Sequence, residues 1–173
     1  MNDFAPTPSQ TVGPFFHFAL PYDDGPRVAP AADPRAVRLH GTVFDGTGTG
    51  VRDAVIEIWQ ADDTGSPSRR RGSLVRDGFG FTGFGRAATN LAGEYSFTTL
   101  VPGTSFATVA IFARGLSHHL FTRAYFSDVD DALLGSLPAD RRTTLVATAD
   151  AERSYRFDIR LQGDGETVFL EYT

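Results

Sequence analysis

Apolar and polar positions alternate along most of the chain from residue 37 onward. In the segment 37–44, Val37, Leu39 and Val43 fall on one face of a strand, because successive side chains of a strand point to opposite faces. Comparable segments, rich in β-branched and aromatic residues, predict further strands at 54–60, 94–99, 107–113, 120–126, 153–162 and 167–172. The pattern predicts an all-β fold, an antiparallel β-sandwich of about eight strands.

Two segments depart from this alternation. Residues 128–137 predict one short helix, since aspartates at its start suit the positive end of a helix dipole. Residues 62–93 are rich in glycine and arginine and show no clean period, which predicts a long loop. Loops of that length in a compact domain usually serve function or an interface.

The first 36 residues form a separate kind of segment. Frequent prolines exclude a long helix or an inner strand there, yet residues 12–20 are strongly apolar. A free disordered tail would not be so apolar. We therefore expect an extended N-terminal arm over 1–36, packed on its own domain or on a partner, followed by one β-sandwich domain over 37–173.

Composition narrows the class of protein. The net charge of −5 argues against binding to a nucleic-acid backbone or to an anionic membrane surface. The absence of cysteine excludes disulfides and thiolate metal sites, and the absence of lysine excludes a Schiff-base lysine. No apolar run approaches the ~20 residues of a membrane span, and the N-terminus does not look like a signal peptide. We expect a cytoplasmic protein.

Few residues could carry chemistry by themselves. The histidines do not fall at a spacing that favours a metal site, because the adjacent His118 and His119 would point to opposite faces of a strand. Arg123 shares a strand face with Phe121 and Tyr125. Its guanidinium could form an ion pair within the domain, which the spacing alone favours, or it could meet a substrate carboxylate.

Several motifs in order resemble those of intradiol ring-cleaving dioxygenases. They are T-P-S-Q-T-V-G-P-F-F at 7–16, E-I-W-Q-A-D at 57–62, G-E-Y-S-F-T-T at 93–99 with Pro102-Gly103, and Y-R-F-D-I-R-L-Q-G at 155–163. The resemblance runs from Thr7 to the C-terminus. Within that family, some members are built from two kinds of chain, and the sequence resembles their α subunits more specifically.

The resemblance implies a division of labour between two subunits. Catalytic members hold Fe(III) with two tyrosines and two histidines, whereas this chain has no tyrosine over 62–93 and reads T-S-F-A-T-V-A-I at 104–111. Phenylalanine, alanine and valine offer no lone pair to a metal. The resemblance therefore implies no metal ligand and no catalytic residue in this chain, with the Fe(III) bound by a partner β subunit.

The same resemblance implies a substrate and the residues that touch it. The complex would cleave 3,4-dihydroxybenzoate with O₂ to 3-carboxy-cis,cis-muconate, a step of aromatic catabolism in the β-ketoadipate pathway. Carried over to this sequence, the substrate-binding residues are Gly13, Pro14, Phe15 and Arg123. Two alternatives remain open: a stand-alone β-sandwich binding module without catalytic activity, and a self-sufficient dioxygenase with altered metal ligands.

Overall fold

Two β-sheets stack face to face in the structure, a computed structural model that describes residues 7–69 and 76–171. Within those residues the strands are β1 (Val37–Phe44), β2 (Val55–Trp59), β3 (Phe84–Ala88), β4 (Glu94–Thr99), β5 (Phe106–Phe112), β6 (Leu120–Tyr125), β7 (Thr148–Ala151), β8 (Ser154–Arg156) and β9 (Ile159–Arg160). The short helices are α1 (Phe16–Ala19), α2 (Ala132–Ser136) and α3 (Ala139–Thr143).

The first sheet is built around β1 and the second around β2 and β5. The first has the order β4-β1-β8-β7, with β9 also paired to β1, and the second has the order β3-β2-β5-β6. Most pairs are antiparallel, but β8 and β9 run parallel to β1. The predicted antiparallel sandwich is confirmed. The two parallel pairs belong to one continuous segment, in which β8 and β9 follow each other along the same side of β1.

Alternation along the strands places one apolar face of each sheet in the main core. On β1, Val37, Leu39 and Val43 are buried, as their spacing predicted. Opposite them, the second sheet contributes a matching set of fully or almost fully buried side chains, namely Ile56, Ile58, Val109, Ile111 and Ala124. The side chains at the alternate positions of β2, β5 and β6 therefore lie on the other side of this sheet, which we call the outer face.

Strand β3 lies inside the stretch predicted as a loop. Its sequence, F-G-R-A-A, has little intrinsic strand preference, so pairing with β2 rather than local propensity defines it. Gly85 is required there, because a Cβ at this position would come within 2.5 Å of Cγ2 of Val28. β7 was also not predicted, and 167–171 forms a single bridge between Leu170 and Phe121 in place of the predicted strand.

The N-terminal arm lies against the second sheet and then enters the core. The ring of Phe16, at the start of α1, lies 5.5 Å from that of Phe112 at the end of β5. Further along, the Leu20 carbonyl accepts a hydrogen bond from Arg86, and Val28 is fully buried. The arm is thus packed on its own domain, and a division at residue 36 stays a prediction.

A second, smaller core cluster covers the end of β6. It consists of Tyr125, Leu134 and Leu145, all fully buried, and it includes the buried side of α2 through Leu134. The predicted helix is thereby confirmed in shortened form, since only Ala132–Ser136 of the segment 128–137 is helical. Across the described residues, no helix has the length and apolar character that crossing a membrane requires.

Candidate functional site

Arg123 lies on the outer face of the second sheet, in the middle of β6. Its neighbours Thr122 and Ala124 point inward and are fully buried, while the Arg123 side chain keeps 29% of its surface exposed. The guanidinium carbon lies 4.1 Å from the ring centroid of Phe106, which is a cation–π contact. This contact holds the guanidinium against the ring and leaves part of the side chain open to solvent.

Arg123 has one hydrogen-bond partner among the described residues. Its Nη1 donates to the hydroxyl of Tyr125 at 3.1 Å, and the hydroxyl in turn donates to Oδ1 of Asp131 at 2.7 Å. Oδ2 of Asp131 lies 3.9 Å from Nη1, which is an ion pair without a direct hydrogen bond. The ion pair favoured by the spacing is therefore present, but most of the guanidinium's donors are not consumed by it.

Asp131 is committed mainly to the helix that follows it. Its Oδ1 accepts from the backbone N–H groups of Leu133 and Leu134, as an N-cap of α2. The hydrogen bond from the Tyr125 hydroxyl, followed by these backbone hydrogen bonds, lowers the pKa of the Asp131 carboxyl. Burial raises the pKa of Tyr125, so the hydroxyl remains a donor at neutral pH.

A cross-strand row on the outer face connects Arg123 to an exposed tryptophan. Trp59 pairs with Thr108, and Thr108 pairs with Arg123, across β2, β5 and β6. Directly paired residues share a face, and the spacing of two strands places Trp59 and Arg123 about 10 Å apart at Cα. Thr108 lies between them on the outer face, so the half-exposed Trp59 and the partly exposed Arg123 stand on either side of a small side chain.

The arm residues Gly13, Pro14 and Phe15 lie at a different place. They are exposed, Phe15 with 75% of its surface, in the turn that leads into α1. The arm is anchored near 113–119, where the backbone N–H of Gly115 donates to the hydroxyl of Thr11. Phe112, the arm's contact on β5, lies four residues from Thr108, or about 13 Å along the strand. The described contacts thus do not join these arm residues to Arg123.

The histidines have ordinary roles in packing and hydrogen bonding. His40 Nε2 lies 2.9 Å from Oδ2 of Asp150, and His118 Nδ1 lies 3.4 Å from the hydroxyl of Ser9. The ring of His119 stacks on Phe112 and meets Phe121 edge-on. His118 and His119 border the same surface pocket, whereas His40 lies on the other sheet, and the described residues contain no cluster of three His, Cys, Asp or Glu side chains that could hold a metal ion.

Comparison with known proteins identifies the family. The family model described as "Dioxygenase" matches residues 12–110. The protocatechuate 3,4-dioxygenase alpha chain of Burkholderia cepacia is 40% identical, and the match covers 99% of this chain and 100% of that one. The alpha chain of Pseudomonas putida is 36% identical, with 96% of each chain covered. The chain belongs to the intradiol dioxygenase family.

Solved structures of intradiol dioxygenases share the fold. The dioxygenase domain of a carbohydrate-binding fusion protein from Streptomyces sp. SirexAA-E is 21% identical with a TM-score of 0.59, covering 91% of this chain and 99% of that one. Catechol 1,2-dioxygenase from Pseudomonas arvilla C-1 is 22% identical with a TM-score of 0.56, covering 79% and 55%. These structures share the all-β sandwich, and the family model together with the two alpha chains makes this chain a subunit of an intradiol aromatic-ring-cleaving dioxygenase, an oxidoreductase.

The family uses Fe(III), but the side chains of this intradiol dioxygenase chain do not fit that ion. On β5 the outer face carries Phe106 and Thr108, and the inner face carries Val109. Phenyl and methyl groups offer no lone pair, and a neutral threonine hydroxyl is a poor substitute for an imidazole or a phenolate. Over 7–69 and 76–171, no group of three His, Cys, Asp or Glu side chains could hold a metal. No chemical step is therefore assigned to iron in this chain.

Sequence reasoning missed the residues around Arg123. In the sequence, Tyr125 is only a neighbour of Arg123 on the strand face, and Asp131 is one of several acidic residues near a helix start. The i, i+2 spacing of Arg123 and Tyr125 could have suggested their contact. The position of Asp131 before A-L-L-G-S could have suggested the N-cap, but only the tertiary structure places that cap beside β6.

Proposed function

We propose that this chain is the iron-free α subunit of a protocatechuate 3,4-dioxygenase, assembled with a β subunit that holds the Fe(III). The complex converts 3,4-dihydroxybenzoate and O₂ to 3-carboxy-cis,cis-muconate in the β-ketoadipate pathway, so that both oxygen atoms enter the product. Near full-length similarity to two chains with that name supports the proposal. The unsuitable donor set on β5 supports the assignment of the iron to the partner.

The observation that carries this proposal is the state of Arg123. A guanidinium stacked on Phe106, with 29% of its side chain exposed and one hydrogen bond within the described chain, has donors left for an anion. Carboxylates bind such forks in a bidentate manner. In this role Arg123 recognises the carboxylate of 3,4-dihydroxybenzoate.

The partner's binding surface is proposed to include the exposed aromatic side chains of the arm and of β2. Phe15, Phe18 and Trp59 keep 75%, 73% and 56% of their surface exposed. Large aromatic side chains are enriched at the centres of protein interfaces. Gly13, Pro14 and Phe15 would line the substrate pocket from the arm. A Cβ at Gly13 would meet nothing within 4 Å in this chain, so the backbone there is open to an approaching partner or substrate.

The test is co-expression of this chain with the β chain encoded in the same genome. The expected result is a single complex on size exclusion, one iron per αβ pair, a tyrosinate-to-iron absorption band, and O₂ uptake on 3,4-dihydroxybenzoate. This chain expressed alone is expected to be colourless and inactive. A colourless protein that forms no complex with the β chain would instead support the stand-alone binding module. Iron and activity in this chain alone would support the self-sufficient dioxygenase.

A further inference from the structure

Tyr125 occupies a central position between Arg123 and the second core cluster. Its ring is fully buried and lies 5.3 Å from that of Phe106, while its hydroxyl reaches both Arg123 and Asp131. The hydroxyl accepts a hydrogen bond from the guanidinium and donates one to the carboxylate. The Tyr125 hydroxyl therefore connects Arg123 to Asp131. Phe106 and Tyr125 are paired across β5 and β6, which fixes both rings relative to the strand.

The geometry assigns to Tyr125 the role of a positioning residue for Arg123. The chain of contacts runs from the α2 N-terminus through Asp131 and the Tyr125 hydroxyl to Nη1, and it holds the guanidinium over the Phe106 ring. This inference rests on the proposed function, because positioning matters only if Arg123 meets the substrate carboxylate. It adds a residue that does not itself touch the substrate.

The reason for such a support lies in the arginine side chain. A flexible arginine loses about 2 kcal/mol of rotamer freedom when it is immobilised. If stacking and the Tyr125 hydroxyl immobilise it before substrate arrives, that loss is not subtracted from the binding of the carboxylate. Asp131 contributes through the Tyr125 hydroxyl and through a longer ion pair, since its Oδ1 accepts from the helix cap and from that hydroxyl, and its Oδ2 lies 3.9 Å from Nη1 without a direct hydrogen bond.

The test is a pair of substrates in the assembled αβ complex. 3,4-Dihydroxybenzoate carries the carboxylate, and catechol lacks it. Tyr125→Phe removes only the hydroxyl and keeps the buried ring. We expect KM for 3,4-dihydroxybenzoate to rise roughly three- to tenfold, with kcat changed less than twofold and the kinetics on catechol unaltered.

A double-mutant cycle shows whether Tyr125 acts through Arg123. Arg123→Ala alone is expected to raise KM for 3,4-dihydroxybenzoate more strongly than Tyr125→Phe. The double variant is expected to be no worse than Arg123→Ala, because the hydroxyl then has nothing to position. Additive effects would overturn the inference, and so would an equal rise in KM for catechol.

Tyr95 offers a matched control. It is also a buried tyrosine with a hydrogen-bonded hydroxyl, which donates to the Phe157 carbonyl at 2.5 Å in the other sheet. Tyr95→Phe is expected to lower stability and leave both KM values unchanged. If Arg123→Ala shows a carboxylate-specific effect and Tyr125→Phe does not, the positioning role fails while the proposed function stands. If Arg123→Ala has no such effect, its proposed role in substrate recognition fails, and the positioning role fails with it.

Discussion

At the residue scale, the two interpretations of Arg123 are compatible in the structure. The ion pair with Asp131 is long, 3.9 Å, and is mediated by Tyr125, while the face of the guanidinium is used by Phe106. The sequence predicted Arg123 as the candidate and predicted an acidic partner for it. It could not predict that the partner would be shared with a helix cap, because that depends on where α2 packs.

Replacement of Arg123 tests carboxylate recognition directly. We expect Arg123→Ala to weaken binding of 3,4-dihydroxybenzoate by about 1.5–3 kcal/mol, the range of a charge-assisted hydrogen bond. Arg123→Lys should recover part of this loss, since it keeps the charge and loses the bidentate fork. Steady-state O₂ uptake of the αβ complex over a range of substrate concentrations measures the KM of each variant. Wild-type KM in both variants would show that Arg123 serves only the fold.

At the element scale, a strand and a helix each depend on one particular residue. β1 can carry β4 on one side and β8 and β9 on the other only because Gly41 lets the backbone of Phe157 approach. α2 is five residues long and depends on its N-cap, Asp131. Isolated helices of this length are not stable, so packing of Leu134 and capping must stabilise it together.

Gly41 and Gly135 should respond in opposite directions to alanine. A Cβ at Gly41 would come within 1.9 Å of the Phe157 carbonyl oxygen, so Gly41→Ala should lower the free energy of unfolding by about 2 kcal/mol or more. Gly135 lies in α2 with nothing within 4 Å of a Cβ, so Gly135→Ala should raise it by about 0.5–1 kcal/mol. Urea unfolding followed by circular dichroism measures both. Equal effects would contradict the close packing at Gly41.

The cap of α2 should be sensitive to acid. The pKa of Asp131 is lowered in the folded chain, first by the Tyr125 hydroxyl, so its carboxylate stabilises the fold fully above the unfolded pKa of about 3.9. That contribution is lost as pH falls through the lower folded value. Asp131→Ala should lower the free energy of unfolding by about 1 kcal/mol at pH 7, and Asp131→Asn by less, because asparagine also caps.

Thermal unfolding from pH 7 to pH 2.5 checks this linkage. The difference between the wild type and Asp131→Asn should narrow below about pH 4, where protonation removes the charge that only the wild type carries. A difference that stays constant with pH would show that the carboxylate charge does not contribute.

At the scale of the whole molecule, the arm connects the fold to the proposed assembly. Its later part is integrated into the domain through Val28, whereas Phe15 and Phe18 remain exposed. An apolar arm that buried all its side chains within its own domain would need no partner. This one keeps Phe15 and Phe18 on the surface, and exposed large aromatic side chains are typical of an interface that another chain covers.

Phe18 and Leu91 allow a matched test of that interface. Both are exposed, with 73% and 86% of their surface, but Leu91 lies in the turn between β3 and β4. Phe18→Ser should weaken assembly with the β chain by roughly tenfold and leave thermal unfolding of this chain unchanged. Leu91→Ser should leave both unchanged. Analytical ultracentrifugation over a dilution series distinguishes them, and equal behaviour of the two variants would exclude the arm from the interface.

The sequence by itself determined the fold class, the family and the lack of iron ligands on β5. Alternation sets which side chains enter a core, and a residue without a lone pair cannot bind a metal in any fold. Only the tertiary structure decided that F-G-R-A-A becomes β3, that β8 and β9 run parallel to β1, and that Tyr125 and Asp131 support Arg123. These features depend on contacts between residues far apart in the chain or between elements, and local patterns do not encode how elements pack on one another.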